Sequence, residues 1–86
     1  MRISEREKLV LNAIVDYYLT VGDTIGSRTL VKKYGIELSS ATIRNVMADL
    51  EDMGFIEKTH TSSGRIPTDM GYKYYLTELL KVEKIT

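Results

Sequence analysis

Residues 39–53 read SSATIRNVMADLEDM, and this stretch decides the fold. Its large apolar residues recur every three or four positions, as they do along one side of an α-helix. They are Ile43, Val46, Met47, Leu50 and Met53. Ser39 is suited to cap the start of such a helix, and Gly54 to stop it near Met53. The opposite side would carry Ala41, Arg44, Asn45, Ala48 and Asp52, so the pattern predicts a helix with one buried and one polar face.

A shorter helix is predicted just before this one. Ser27 is a plausible N-cap, and Gly35 is placed to end the helix in the left-handed conformation. The apolar residues between them are Leu30, Val31 and Tyr34. A helix of about two turns does not persist alone, so it must pack on a neighbour. Two helices joined by the short turn at residues 36–38 predict a helix-turn-helix unit.

The N-terminal third predicts one long helix. Ser4 and Glu7 have the spacing of a capping box, and Gly22 stands where the helical period stops. The residues expected on its buried face are Leu9, Val10, Ala13, Ile14, Tyr17, Tyr18 and Val21. Residues 24–26 are long enough only for a turn or a strand with a single bridge.

After Gly54 the pattern changes to that of a hairpin. Residues 55–60 predict a strand and residues 65–67 a short return strand, with a polar loop in which Gly64 can take a positive φ. Thr68 and Asp69 then open a last helix. Its expected buried face is Tyr72, Tyr75, Leu76, Leu79 and Leu80. The order predicts one domain over residues 1–86, mainly α with a small β-hairpin, of the winged helix-turn-helix type.

The charge totals alone argue against binding to nucleic acid. The chain has 12 basic and 12 acidic residues, so its formal net charge is zero, whereas affinity for DNA depends on neutralising phosphates. The distribution is uneven, however. Residues 27–48 hold four cations and one acid, and residues 58–67 hold Lys58, His60 and Arg65 with no acid. A basic face is therefore possible on a neutral molecule.

Several classes of function are not expected. There is no cysteine, which excludes disulfides and thiolate zinc sites and agrees with a cytoplasmic location. Neither a signal peptide nor a membrane-spanning run is recognisable. His60 has no partners at the spacing of a metal or catalytic site, and no phosphate loop or nucleophile motif occurs. We therefore expect neither an enzyme nor a cofactor or metal.

The polar face of the third helix is the main candidate for binding DNA. A recognition helix inserts its N-terminal part into the major groove. Arg44 can bond guanine and Asn45 can bond adenine, while Ala41 or the Thr42 methyl group can meet a thymine methyl. The predicted contact residues are Ser39, Ser40, Ala41, Thr42, Arg44 and Asn45. The alternative is an ordinary solvated helix face.

Two further segments complete the predicted interface. Ser27, Arg28 and Thr29 open the second helix, where they can contact the phosphate backbone, whereas Lys32 and Lys33 can equally serve solubility. The wing can contact the minor groove or the flanking backbone. Its predicted contact residues are His60, Thr61, Ser62, Ser63, Gly64 and Arg65. The alternative here is an exposed turn built of turn-forming residues.

Three segments resemble one protein family, the heat-inducible transcription repressors of the HrcA type. They are residues 26–30 (GSRTL), residues 39–51 (SSATIRNVMADLE) and residues 60–72 (HTSSGRIPTDMGY). Ser4-Glu5-Arg6 and Asp16-Tyr17-Tyr18 resemble the family as well. The resemblance covers nearly the whole chain without gaps.

The resemblance implies a repressor of bacterial chaperone operons. By that resemblance, the repressor binds the inverted repeat called CIRCE as a homodimer, and chaperonin availability sets its activity. Family members are several times longer and carry a dimerisation and regulatory region after this domain. A chain that stops at Thr86 is then expected to be a fragment without that region, which leaves a monomeric state open.

Two other functions remain open at this point. A winged helix can dock on a protein through the same surface, which would explain the zero net charge, but such a surface should expose large apolar residues. The six tyrosines could stack on the bases of RNA or single-stranded DNA. Their helical spacing favours roles in packing instead.

Overall fold

The described residues fold into four helices and one pair of antiparallel strands, in the predicted order. The structure, a computed structural model, describes residues 3–59 and 64–85, with side chains up to residue 79. The elements are α1 (Glu5–Val21), α2 (Ser27–Tyr34), α3 (Ser40–Asp52), β1 (Ile56–Lys58), β2 (Arg65–Pro67) and α4 (Asp69–Ile85). Among the described residues, no helix combines the length and the apolar character needed to cross a membrane.

The helix ends agree with the predicted caps, with one exception. Ser4 and Glu7 form the capping box, with bonds of 2.8 and 3.1 Å between each backbone N–H and the other residue's side chain. The exception is α2, where the prediction of Ser27 as N-cap is wrong. Gly26 is the cap, without a side-chain bond, and Ser27 is the first helical residue. The reason is that the Gly26 carbonyl already accepts the first helical bond, from the Leu30 N–H at 3.1 Å.

The core is centred on α1, and here the predicted buried face is partly wrong. Leu11 and Val15 are fully buried, whereas Leu9, Tyr18 and Val21 are 51, 40 and 52% exposed. Val10, Ala13 and Ile14 are buried as predicted. Because α1 contacts α2, α3, α4 and β2, its buried arc is wider than one stripe. The direction of that arc depends on where the neighbours lie, and the helical period does not encode this.

The helix-turn-helix unit has the predicted orientation. Ile43, Val46, Met47 and Leu50 of α3 are buried, and the Leu30 side chain of α2 is fully buried. Five apolar residues lost from water contribute on the order of 10 kcal/mol before the cost of ordering the chain. This anchoring fixes which face of α3 is turned outward.

The hairpin is tied to the chain before α2. β1 and β2 are antiparallel, with Lys58 opposite Arg65. Of the two possibilities left open for residues 24–26, the single bridge is found, between Ile25 and Arg65. β1 is shorter than the predicted strand of residues 55–60, and residues 60–63 lie outside the described residues.

The role predicted for Gly64 is wrong. Positive φ angles occur at Gly22, Gly35 and Gly54 and not at Gly64. A Cβ atom on Gly64 would lie 2.7 Å from Thr24 Oγ1 and 3.1 Å from the Ile25 backbone nitrogen. Glycine is therefore required here for close approach between two segments, and not for a left-handed turn.

The last helix starts as predicted, and the buried face predicted for it is partly wrong, although Tyr75 packs against the core as predicted. The Thr68 hydroxyl accepts from the Gly71 N–H at 3.1 Å and donates to the Gly54 carbonyl at 2.6 Å. Tyr74 was not predicted to be inside, yet its ring lies 5.5 Å from that of Phe55. Leu76 and Leu79 are exposed instead, and the Leu80 side chain lies outside the described part. The reason is that Gly71 lies directly on the Phe55 carbonyl, where any Cβ would overlap it, and this contact sets the rotation of α4.

Candidate nucleic-acid interface

The outer face of α3 is polar and open, as predicted. Ala41, Arg44, Asn45 and Ala48 are exposed, and Thr42 is half-buried. Arg44 and Asn45 offer the side chains best suited to guanine and adenine edges, and the small residues let the helix approach another surface closely. The helix therefore presents donors, acceptors and small side chains along one stripe.

Ser39 has a structural task at the start of this helix. Its hydroxyl accepts from the Thr42 N–H at 3.1 Å and donates to Thr42 Oγ1 at 2.9 Å. The cap occupies the third amide of the first turn, whereas the amides of Ser40 and Ala41 have no partner within the helix. Ser39 thus shapes the N-terminus that the predicted site would use, and Ser40 lies exposed beside it.

A cleft with a basic lining lies beside this face. It has a volume of about 500 Å³ and is formed by the start of α2, the middle of α3 and the hairpin. The residues of this basic cleft are Gly26, Ser27, Arg28, Arg44, Met47, Lys58 and Arg65. Four of the seven are cations and none is an acid, so the cleft collects charge that the neutral total conceals.

The basic cleft brings together residues that the sequence had separated. Arg28, Arg44 and Arg65 were each predicted to bind DNA, and the fold places all three on one cleft. Lys58 was missing from the predicted contacts. The signal that could have found it is the acid-free run at residues 58–67, since Lys58 pairs directly with Arg65 in the hairpin.

Arg65 is anchored rather than held out at the tip of the wing. Its Nε donates to Glu51 Oε1 at 2.9 Å, and the two side chains are 17% and 37% exposed. Glu51 was not predicted to belong to the site. It follows Arg44 by seven residues, which places both on the same side of a helix.

The other residues considered at the sequence level divide into four groups. Ser27 and Thr29 are half-buried at the start of α2, next to the exposed Arg28. Lys33 lies 6.0 Å from the Tyr17 ring centre, toward α1, and neither Lys32 nor Lys33 lines the basic cleft. Gly64 is buried. His60, Thr61, Ser62 and Ser63 lie outside the described residues.

A second concave surface lies at the other end of α2. This apolar groove has a volume of about 390 Å³, and its walls come from α1, α4 and the end of α2. Its lining residues are Leu9, Asn12, Ala13, Asp16, Tyr34, Ile36, Tyr75 and Leu79. The Tyr34 hydroxyl donates to Asp16 Oδ2 at 2.7 Å. Burial, together with this bond, raises the pKa of Tyr34 to about 12.

Four of the six tyrosines serve packing, as their spacing indicated. Tyr17, Tyr34, Tyr74 and Tyr75 are partly buried against the core. A platform for stacked bases needs exposed ring faces side by side, and these four rings are turned toward the protein interior.

Named relatives match the chain at the level of sequence, although no protein-family model matches it. The heat-inducible transcription repressor HrcA of Fusobacterium nucleatum subsp. nucleatum is 99% identical over all 86 residues, which are 24% of that protein's length. The HrcA repressor of Geobacter sulfurreducens is 53% identical over 83 residues, again 24% of its length. The chain therefore spans about a quarter of the curated relatives it matches, and those relatives are transcription repressors, not enzymes.

Solved structures match the fold. The crystal structure of a hypothetical protein has 44% sequence identity and a TM-score of 0.92, over 99% of this chain and 26% of that one. The crystal structure of SSV1 F-93 has 20% identity and a TM-score of 0.62, over 100% of this chain and 98% of that one. The second likeness shows the winged-helix-like fold alone.

Proposed function

We propose that this chain, which is homologous over its whole length to the HrcA heat-inducible transcription repressors, is their operator-reading domain. The observation that carries the proposal is the continuity of two surfaces: Arg44 belongs both to the exposed polar stripe of α3 and to the basic cleft. A single side chain thus joins a surface suited to base edges to one suited to phosphates.

In this proposal α3 lies in the major groove. Arg44 and Asn45 bond base edges, Ala41 and the Thr42 methyl meet thymine methyls, and Ser40 lies at the entry. The cap made by Ser39 keeps the first turn of the helix in shape. Each well-placed bidentate pair discriminates against the wrong base by about 1–3 kcal/mol.

The second helix and the hairpin hold the phosphate backbone. The N-terminus of α2 has no side-chain cap, so the amides near Ser27 can meet a phosphate, with Arg28 and Thr29 beside them. Lys58 and Arg65 line the same cleft from the hairpin side. We propose that the wing residues His60, Thr61, Ser62 and Ser63 contact the minor groove or the flanking backbone, whereas the buried Gly64 allows close approach to Thr24.

The surroundings of α3 support DNA rather than a protein as the partner. A protein-docking surface exposes large apolar side chains at its centre. Among the described residues, the exposed large apolar side chains belong to α1 and α4 and none to α3 or the hairpin. They are Leu9, Tyr18, Leu19, Val21, Met70, Leu76 and Leu79.

The proposal is also compatible with the neutral net charge of the chain. One domain with a few phosphate contacts binds weakly, and a second copy on the other half of an inverted repeat raises the affinity by avidity. We place the intact repressor, a homodimer, on the CIRCE repeat of chaperone operons in the bacterial cytoplasm. Dimerisation and control by a chaperonin belong to the three quarters of the relatives that this chain does not span.

The test is a salt titration of duplex binding by fluorescence anisotropy. The 86-residue chain, alone and covalently joined in pairs, is titrated with a CIRCE duplex and with a scrambled duplex. We expect preference for CIRCE, larger for the joined pair, and a slope of log K against log salt of about −3 per domain, for about three phosphate contacts. Equal affinity for both duplexes would refute operator reading, and binding that ignores salt would refute the role of the basic cleft.

A further inference from the structure

We infer that Glu51 is a positioning residue for DNA reading: its carboxylate holds Arg65 against the last turn of α3 and so sets the hairpin on the recognition helix. The inference rests on the proposed function and adds a residue to it. Glu51 itself touches no base in this account. It acts through Arg65, whose Nε lies 2.9 Å from the carboxylate.

Arg65 connects three parts of the molecule. Its backbone N–H donates to the Ile25 carbonyl at 3.0 Å, and its carbonyl accepts from the Ile25 N–H at 3.1 Å. Across the hairpin it pairs with Lys58. The side chain then adds the bond to α3, through a charge-assisted contact of the stronger kind. The hairpin, the segment before α2 and α3 therefore meet at one residue.

Repulsion within the basic cleft explains why an acid is needed at this position. Arg44 and Arg65 line the same cleft together with Arg28 and Lys58, and like charges in close quarters repel. Glu51 lies two helical turns beyond Arg44, about 10 Å along the axis. Its carboxylate binds the Arg65 Nε at 2.9 Å and so offsets part of the repulsion between the cations of the cleft.

The consequence concerns discrimination more than affinity. A guanidinium held by a carboxylate meets the duplex in one orientation, whereas one without that restraint can reach phosphates of any sequence. Loss of the Glu51 charge should therefore strengthen binding to every duplex, most of all to those without an operator. The ratio of the affinity for the operator duplex to the affinity for other duplexes should therefore fall.

The experiment compares Glu51→Gln with Glu57→Gln. Both remove one negative charge, and Glu57 is an exposed acid of β1 in the same hairpin. Titrations against CIRCE and scrambled duplexes give the ratio of Kd values and the salt slope. For Glu51→Gln we expect the ratio to fall by about fivefold, because the amide oxygen can still accept from Arg65 but no longer carries the charge that strengthens the bond. The salt slope should steepen by up to about one ion.

Two more measurements separate positioning from mere stability. Glu51→Asp keeps the charge on a shorter side chain and should retain part of the discrimination. The NMR signal of the Arg65 Nε–H should show protection from exchange that Glu51→Gln weakens and Glu57→Gln keeps. Thermal unfolding of each variant is recorded alongside.

The outcomes are distinct. An unchanged ratio for Glu51→Gln, with or without a lower Tm, would overturn the inference and leave operator reading in place. An equal fall for Glu57→Gln would overturn it as well, since charge alone would then be responsible. A wild-type chain that does not distinguish the two duplexes would refute the proposed function first, and the role of Glu51 with it.

Discussion

The basic cleft and the apolar groove lie at opposite ends of α2 and differ in their chemistry. At the first end, Arg28 joins Arg44, Lys58 and Arg65 around a cleft without acids. At the other end, Tyr34 joins aliphatic side chains of α1 and α4. A helix of eight residues thus divides a polar surface from an apolar one.

This difference shows why the net charge misleads for this chain. The 12 basic and 12 acidic residues cancel in the sum, but a partner meets one surface at a time. The potential near a cleft depends on the charges that line it and on the low-dielectric walls around them. Substitutions that affect both surfaces, or only one of them, test this division.

The largest effect is expected from Leu30→Ala, since Leu30 is the fully buried residue of α2 between the two surfaces. The cavity should lower the free energy of unfolding by about 2–5 kcal/mol, and it should loosen both ends of the helix. Urea unfolding followed by circular dichroism measures the loss. Leu19→Ala on the exposed side of α1 is the control. A loss below about 1 kcal/mol for Leu30→Ala, at the level expected of a surface site, would mean that α2 does not anchor the two surfaces.

The second-largest effect is expected from a substitution that changes the basic cleft alone. Arg44→Ala is expected to weaken CIRCE binding by about 1–3 kcal/mol and to relax preference at one base position, because a base contact is lost. The free energy of unfolding should stay within about 0.5 kcal/mol, since Arg44 is exposed. Anisotropy titrations with single-base variants of the duplex measure the effect. Lys73→Ala, an exposed cation on α4, is the matched control, and equal losses on CIRCE and scrambled duplexes would exclude base reading by Arg44.

A smaller effect is expected on the apolar side from Tyr34→Phe. The change removes the bond from the Tyr34 hydroxyl to Asp16 and should cost about 1 kcal/mol of stability near pH 7. Binding to DNA should not change. Chemical unfolding of both proteins at matched pH measures the difference.

The difference in stability between wild type and Tyr34→Phe should also depend on pH. The pKa of Tyr34 is raised from 10.0 to about 12 in the folded state, so the folded chain holds the proton more tightly than the unfolded chain. The contribution of the protonated Tyr34 hydroxyl to the free energy of unfolding is therefore complete below pH 10 and is lost as the pH rises toward 12. The stability difference between wild type and Tyr34→Phe should narrow over that window, and a difference that stays constant up to pH 12 would contradict the raised pKa.

The smallest effect is expected from Leu9→Gln in the apolar groove. Leu9 is already half exposed, so stability should change by no more than about 0.5 kcal/mol. Affinity for the CIRCE duplex should remain within twofold, roughly the error of such a titration. A clear loss of DNA affinity would mean that the two surfaces are coupled through α2.

Features that depend on close neighbours in the chain were predictable from the sequence. Ser4 with Glu7 and Ser39 with Thr42 are three residues apart, so their caps follow from spacing alone. The faces of α3 were predictable for the same reason, because its polar and apolar residues separate into two clear stripes.

Features that depend on packing were not predictable. α1 is apolar on several sides, so its sequence does not say that Leu11 lies inside and Leu9 outside. Glycine is needed at position 71 because a Cβ there would overlap the Phe55 carbonyl. This contact exists only once α4 is packed on the rest of the protein. The bond from Arg65 to Glu51 crosses 14 residues of chain, and no local pattern marks it. The candidate site was therefore predictable as a set of basic segments, but its anchoring was not.

The bridge between Ile25 and Arg65 has a consequence for solubility. Both backbone groups of Ile25 bond to Arg65, so one side of β2 is covered at that point and the outer strand is β1. That strand has three residues, and the last two are Glu57 and Lys58. Short strands that carry charge are poor templates for aggregation. The described strands therefore offer little edge on which strands of other chains could pair.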